Sequence, residues 1–216
     1  MDRKNKPRDI SLEETSSQRI LLEEYRALNA DYLNLRSEGV NRVNFFITAL
    51  SVVLGGVLVI ASNTTLPILY FKFILSTAAL ILASIGFEIH GYLIHREISS
   101  ALLMRGLARI RNYFVKLDPQ IRDHFVTKVA DTPTGSLIHK RSGLRRTIQI
   151  IEGFLVGLIV AVLSTLLPIS QGVNVGFGVG VTVLTITLLE FKARRKLNQA
   201  FESAIAEMKF NDDLNK

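Results

Sequence analysis

Three carboxylates, Glu88, Glu152 and Glu190, stand near the ends of long uncharged stretches of the chain. A charge in lipid costs about 2.5 kcal/mol or more at depth and less near the interface, so their depth decides what they do. As pore-mouth groups they would form an acidic ring at the entrance of a cation path. As interfacial groups they would pair with nearby arginines or face water.

A second set is basic. Arg105, Arg109, Arg111 and Arg122, with Tyr113 and Phe114 available for stacking, could grip an anionic partner such as a nucleotide or oligonucleotide signal. The same four, together with Arg145 and Arg146, could instead contact lipid headgroups, since juxtamembrane basic clusters attract anionic lipid at ~1 kcal/mol per residue.

Other chemistry lacks its residues. The 216-residue chain has no cysteine, which removes disulfides, thiolate metal sites and cysteine nucleophiles. His90 and His95 are five apart and would lie on different faces of a helix, and neither His124 nor His139 sits in a ligand pattern. No phosphate-cradling glycine loop or nucleophile elbow occurs. The expectation is a non-enzyme with no cofactor, metal or catalytic residue.

The elements that position these groups follow from hydropathy. Apolar residues make up 48% of the chain, and they cluster into four stretches that each approach the ~20 residues needed to cross a bilayer core. The expected fold is an all-α membrane protein, with four transmembrane helices as two hairpins plus cytoplasmic helices. Span one covers 45–62 and span two 66–89, joined by a turn at Asn63-Thr64-Thr65. Span two opens on Pro67, tolerated in a first helical turn, and its one interior charge, Lys72, lies near enough to an end to snorkel. Span three covers 148–167 and stops at Pro168, and after Ser170-Gln171-Gly172 span four covers 173–190. Turns this short imply hairpins that insert together, with every helical N–H satisfied internally.

Orientation is read from the basic residues. Eight lie in residues 1–44, eleven in 90–147 and six after the last span, while Lys72 alone lies toward the opposite face. Loops rich in lysine and arginine stay inside, which puts both termini and the central segment in the cytoplasm of a cell membrane. The polar, charge-balanced start is unlike a cleavable signal peptide, so span one is expected to serve as its own insertion signal.

Segment 1–44 carries Leu21, Tyr25, Leu28, Tyr32 and Leu35 at coiled-coil seam spacing. Its partner is either another subunit or the chain's own C-terminal segment 191–216, where Leu197, Phe201, Ala204 and Met208 repeat the spacing. The basic segment 90–147 extends span two, and Asp118-Pro119 then reads as a cap and first-turn proline opening a short helix to about Val129. Thr132-Pro133-Thr134-Gly135 reads as a loop, and Lys140 and Arg141 lead toward span three.

Small residues recur every four positions in both members of the second hairpin: Gly153, Gly157 and Ala161, then Gly172, Gly176 and Gly180. Such rows let helix backbones approach, within one chain or between chains. The hairpins also echo each other at Arg42 and Arg145 and at Glu88 and Glu190, the pattern a parallel duplication would leave.

A leucine- and tyrosine-rich helix (Leu21-Leu22-Glu23-Glu24-Tyr25-Arg26), a transmembrane hairpin and a long basic helix (His95-Arg96 to Arg109-Ile110-Arg111) follow one another over residues 15–115. This layout resembles SLATT-type bacterial membrane proteins, from whose two-span plan the second hairpin departs. The resemblance implies a pore-forming effector of a bacterial defence or conflict system, controlled by a nucleotide-sensing partner. The expected function is therefore an oligomeric, channel-like membrane effector. The alternative is a non-catalytic scaffold that presents cytoplasmic helices to a soluble partner. A transporter ranks behind both, because mid-span polar groups such as Ser76, Thr77 and Thr182 are only hydroxyls.

Overall fold

A computed structural model describes residues 12–63, 67–125, 143–168 and 170–214. Four helices account for nearly all of it: α1 (Leu12–Asn63), α2 (Ile68–Leu117), α3 (Gly143–Ser164) and α4 (Gln171–Leu214). There is no strand among the described residues, and each helix contains a stretch long and apolar enough to cross a membrane. The architecture is all-α and fits a multi-pass membrane protein.

The polar segments are not separate elements. The seam residues and span one share the unbroken 52-residue α1, and span two runs on through the basic residues to Leu117. Neither junction contains proline, and the glycines within the helices leave the i to i−4 ladder intact, so nothing interrupts propagation. Pro67 does lie just before α2, and its carbonyl accepts from the Tyr70 and Phe71 amides. At the other end Asp118 caps a 3-10 turn, Pro119–His124, by accepting from the Gln120 amide at 3.0 Å. That element is shorter than the sequence suggests, for Phe125 is already extended. The expected loop at Thr132-Pro133-Thr134-Gly135, with Lys140 and Arg141, lies outside the described residues.

Helix α3 ends at Ser164, before Pro168, in tight turns that pass from the Thr165 amide to the Val162 carbonyl and from the Leu166 amide to the Leu163 carbonyl. A proline disfavours helix in the residue before it, and here the unwinding begins a turn earlier.

The chain forms two compact units. One comprises residues 1–35 and 100–132. In it Leu21, Tyr25, Leu28, Tyr32 and Leu35 of α1 are half-buried, as is Gln18, and the positions between them are exposed. Two of them meet the end of α2: Arg111 lies 5.5 Å from the Tyr25 ring centroid and donates to its hydroxyl at 3.3 Å, and a Cβ on Gly106 would sit 3.2 Å from Leu28. The seam thus finds a partner in a third place, the basic continuation of span two.

The second unit, 36–99 and 133–216, holds the apolar core. Val43 and Phe46 of α1, Ala79, Leu82, Ala83, Ile89 and Leu93 of α2, and Ile148 and Leu155 of α3 form it. Helix α3 is the innermost, with 33% of its span buried against 11% for α1. The outward faces are strongly apolar, as at Phe45 (68% exposed) and Val52 (69%). Contiguous exposure on this scale suits hydrocarbon and not water.

Helices α3 and α4 pack through small residues. A Cβ on Gly157 would lie 2.6 Å from the Gly178 carbonyl oxygen, and one on Gly178 would lie 2.8 Å from Ala161 Cβ. The α3 row of Gly153, Gly157 and Ala161 therefore meets α4 of the same chain, but at Gly178, Thr182 and Ile186. The other row, Gly172, Gly176 and Gly180, faces open space, because it lies on a different side of α4.

Candidate functional site

The buried stripe of α3 changes character along its length. Ile148 and Leu155 are apolar, but Arg145, Gln149 and Glu152 recur on the same face at helical spacing and are buried with them. This polar line begins at the basic end of the bundle and runs into its core.

Glu152 is the innermost member. It lies about 13 Å along α3 from Gly143, near the middle of the helix. Its side chain is 0% exposed, and neither carboxyl oxygen has a hydrogen-bond partner among the described residues. The space it fills exists because position 86 is glycine: a Cβ there would lie 3.2 Å from Glu152 Oε1 and 3.2 Å from Phe46 Cζ. One turn along α2 from Gly86 stands His90, 3% exposed, with both ring nitrogens unpartnered among the described residues.

Toward the basic end the line becomes hydrogen-bonded. Gln149 Nε2 donates to Glu190 Oε2 at 3.3 Å, and Arg194 Nε donates to Glu190 Oε1 at 2.9 Å. Arg145, only 3% exposed, lies 3.9 Å from Glu190 and 3.7 Å from Glu97 of α2. One buried guanidinium thus bridges carboxylates from two other helices, a better-compensated arrangement than a single pair. On α1, Arg42 donates twice to Glu38, at 3.0 and 2.8 Å, and lies over the Tyr92 ring at 4.1 Å. That guanidinium holds the Glu38 carboxyl below its usual range.

The three carboxylates singled out in the sequence are separated by these environments. Glu88 is exposed on α2, Glu190 is engaged by Arg145 and Arg194, and Glu152 is sealed in the core. Pairing with arginine describes Glu190 and does not describe Glu152. The proposed hairpin equivalents differ likewise, with Arg42 exposed and Arg145 buried.

The six arginines divide too. Arg111 is buried against Tyr25 and Arg145 among carboxylates, which commits both to the fold. Arg109, Arg122 and Arg146 are exposed and Arg105 is half-buried. Tyr113 and Phe114 meet edge to face at 5.7 Å. Gly86, His90, Gln149 and Glu97 escaped the sequence reading as site residues. Helical spacing aligns Gln149 with Glu152 and His90 with Gly86, but nothing in the sequence turns those faces toward each other.

No group of three or more histidine or acidic side chains could hold a metal ion among the described residues. No family model matches the chain, and neither a curated protein nor a solved structure is found to be similar to it.

Proposed function

We propose that the protein is a channel-like membrane effector that passes small cations, protons foremost, along the polar line inside its spanning bundle, and that it works as an oligomer. One observation carries this reading: the Glu152 carboxyl is fully buried and unpartnered in an apolar core, in register with His90, Gln149 and Arg145. Leaving a buried polar group unsatisfied costs roughly 1–3 kcal/mol. An ionisable residue kept at membrane depth under that cost suits exchange of a proton or cation better than packing. The defence setting and a nucleotide-sensing partner rest on the layout shared with SLATT-type proteins, and cytoplasmic termini rest on the basic-residue asymmetry.

The test is proton flux into vesicles. Proteoliposomes with an entrapped pH dye and an imposed potassium diffusion potential should acidify, and Glu152→Gln should slow the rate by about 100-fold, the lower end of the range for a lost proton-transfer group. Glu88→Gln, on the outer face, should leave it unchanged. Vesicles that stay tight between pH 5 and 8 with wild-type protein overturn the reading.

A scaffold role is favoured by a different observation. In the first unit Ile20 (67% exposed), Leu33 and Leu102 leave apolar surface outside the seam. A soluble partner or another subunit would cover it. Ile20→Lys with Leu33→Lys should abolish a stoichiometric crosslinked complex without altering flux if that surface only docks a partner.

A further inference from the structure

At the basic end of the second unit, α3 and α4 part to leave an open groove of about 580 Å³. Arg145, Arg146 and Arg194 line one end, Ile186 lines the other, and Ile150 and Phe191 lie between them. The order follows from chain direction. Helix α3 passes from Arg146 to Ile150 over about 6 Å of rise, and the antiparallel α4 passes from Ile186 to Arg194 over about 12 Å. Polarity therefore changes along the bundle axis, from cationic at the end of the spans to apolar beside them.

Charge inside the groove is unbalanced. Among its described lining residues Glu190 is the one carboxylate, and it is shared by Arg194 at 2.9 Å and Arg145 at 3.9 Å. Arg146 is exposed and has no ion pair among the described residues. Arg145 is shared with Glu97 as well as Glu190, so three guanidinium groups face two carboxylates and leave one positive charge, carried by the exposed Arg146, beside a wall in which Ile150 is 50% and Phe191 66% exposed. A free nucleotide or phosphate would match the cations and leave that wall uncovered. A ligand with an anionic head and a hydrocarbon tail matches both, in the direction the spans would give it in a bilayer.

We infer that this groove binds an anionic phospholipid, whose phosphate is held by Arg146 and Arg194 and whose first acyl carbons lie on Ile150, Ile186 and Phe191. The site needs the protein to reside in a membrane but does not need it to conduct. Lipid retention and flux can therefore fail separately.

Full-length protein in a non-ionic detergent is mixed with phosphatidylglycerol or phosphatidylcholine of the same chains, and retained lipid is counted by native mass spectrometry. The wild type should keep phosphatidylglycerol preferentially. Arg146→Gln should lower its affinity about fivefold, and Arg146→Gln with Arg194→Gln about 25-fold, as expected for arginines near a headgroup. Arg122→Gln, at an exposed arginine of the other unit, should leave retention unchanged. Ile150→Asn should weaken phosphatidylglycerol although no charge has been lost. Should the double variant unfold, Arg146→Gln decides alone, since its guanidinium makes no ion pair within the described protein. Equal retention of phosphatidylcholine overturns the inference. So does displacement of the lipid by a hundredfold excess of inorganic phosphate, or an effect of Arg122→Gln as large as that of Arg146→Gln.

Discussion

Arg145 and Glu152 lie two turns apart on one buried face of α3, yet they bear on stability in opposite ways. Arg145 is bracketed by Glu97 and Glu190, so Arg145→Gln leaves two partly buried carboxylates without their shared cation. The expected loss is about 2–3 kcal/mol, below the usual figure for a broken buried pair because both distances are long and each carboxylate is about one-fifth exposed. Thermal unfolding in mild detergent would read it as a lower midpoint. Glu152→Leu should act the other way, since an apolar side chain of similar size replaces an unsatisfied group in an apolar core. A gain of about 1–2 kcal/mol is expected, together with loss of proton flux. An unchanged or lower midpoint would mean that Glu152 contributes to packing.

At the scale of elements, the α3–α4 contact depends on the absence of side chains at a few positions. Gly157→Val would press a methyl-bearing carbon against the Gly178 carbonyl and the Thr182 side chain, and neither can retreat because the carbonyl is backbone and the hydroxyl is bonded to it at 2.9 Å. The expected cost is about 1–3 kcal/mol, seen as a lower unfolding midpoint in detergent. Gly176→Val, on the open row, should leave the midpoint within about 0.5 kcal/mol of wild type. Both positions belong to four-residue rows in the sequence. Only one row contacts a helix of its own chain, because Gly172, Gly176 and Gly180 share one face of α4 while Gly178 lies on another. Row spacing showed that close approach was sterically allowed; helix rotation decided where it happens.

For the whole molecule, the expectation from the charge asymmetry is a single insertion topology with both termini inside. A chain without native cysteine makes it accessible to labelling. Gln171→Cys, at the start of α4, should react with a membrane-impermeant maleimide applied to intact cells, whereas Arg122→Cys should react only after permeabilisation. Reversed labelling would invert the orientation, and with it the side from which the polar line opens.

Composition and order of residues were enough to determine the all-α class and the four helices long and apolar enough to cross a membrane. Those properties follow from the free energy of moving a local segment from water to hydrocarbon, which adds up along the chain without reference to any other segment. The Asp118 cap and the opening of α2 at Pro67 were legible for the same reason, since a proline or a capping carboxylate acts within its own helical turn. The depth of Glu152, the pairing of Arg145 with Glu97 and Glu190, and the meeting of Leu28 with Gly106 were decided only by tertiary structure. Each depends on the rotation of one helix about its axis relative to another. That angle is chosen by packing among residues far apart in the chain, at Phe46, Gly86 and Gly157.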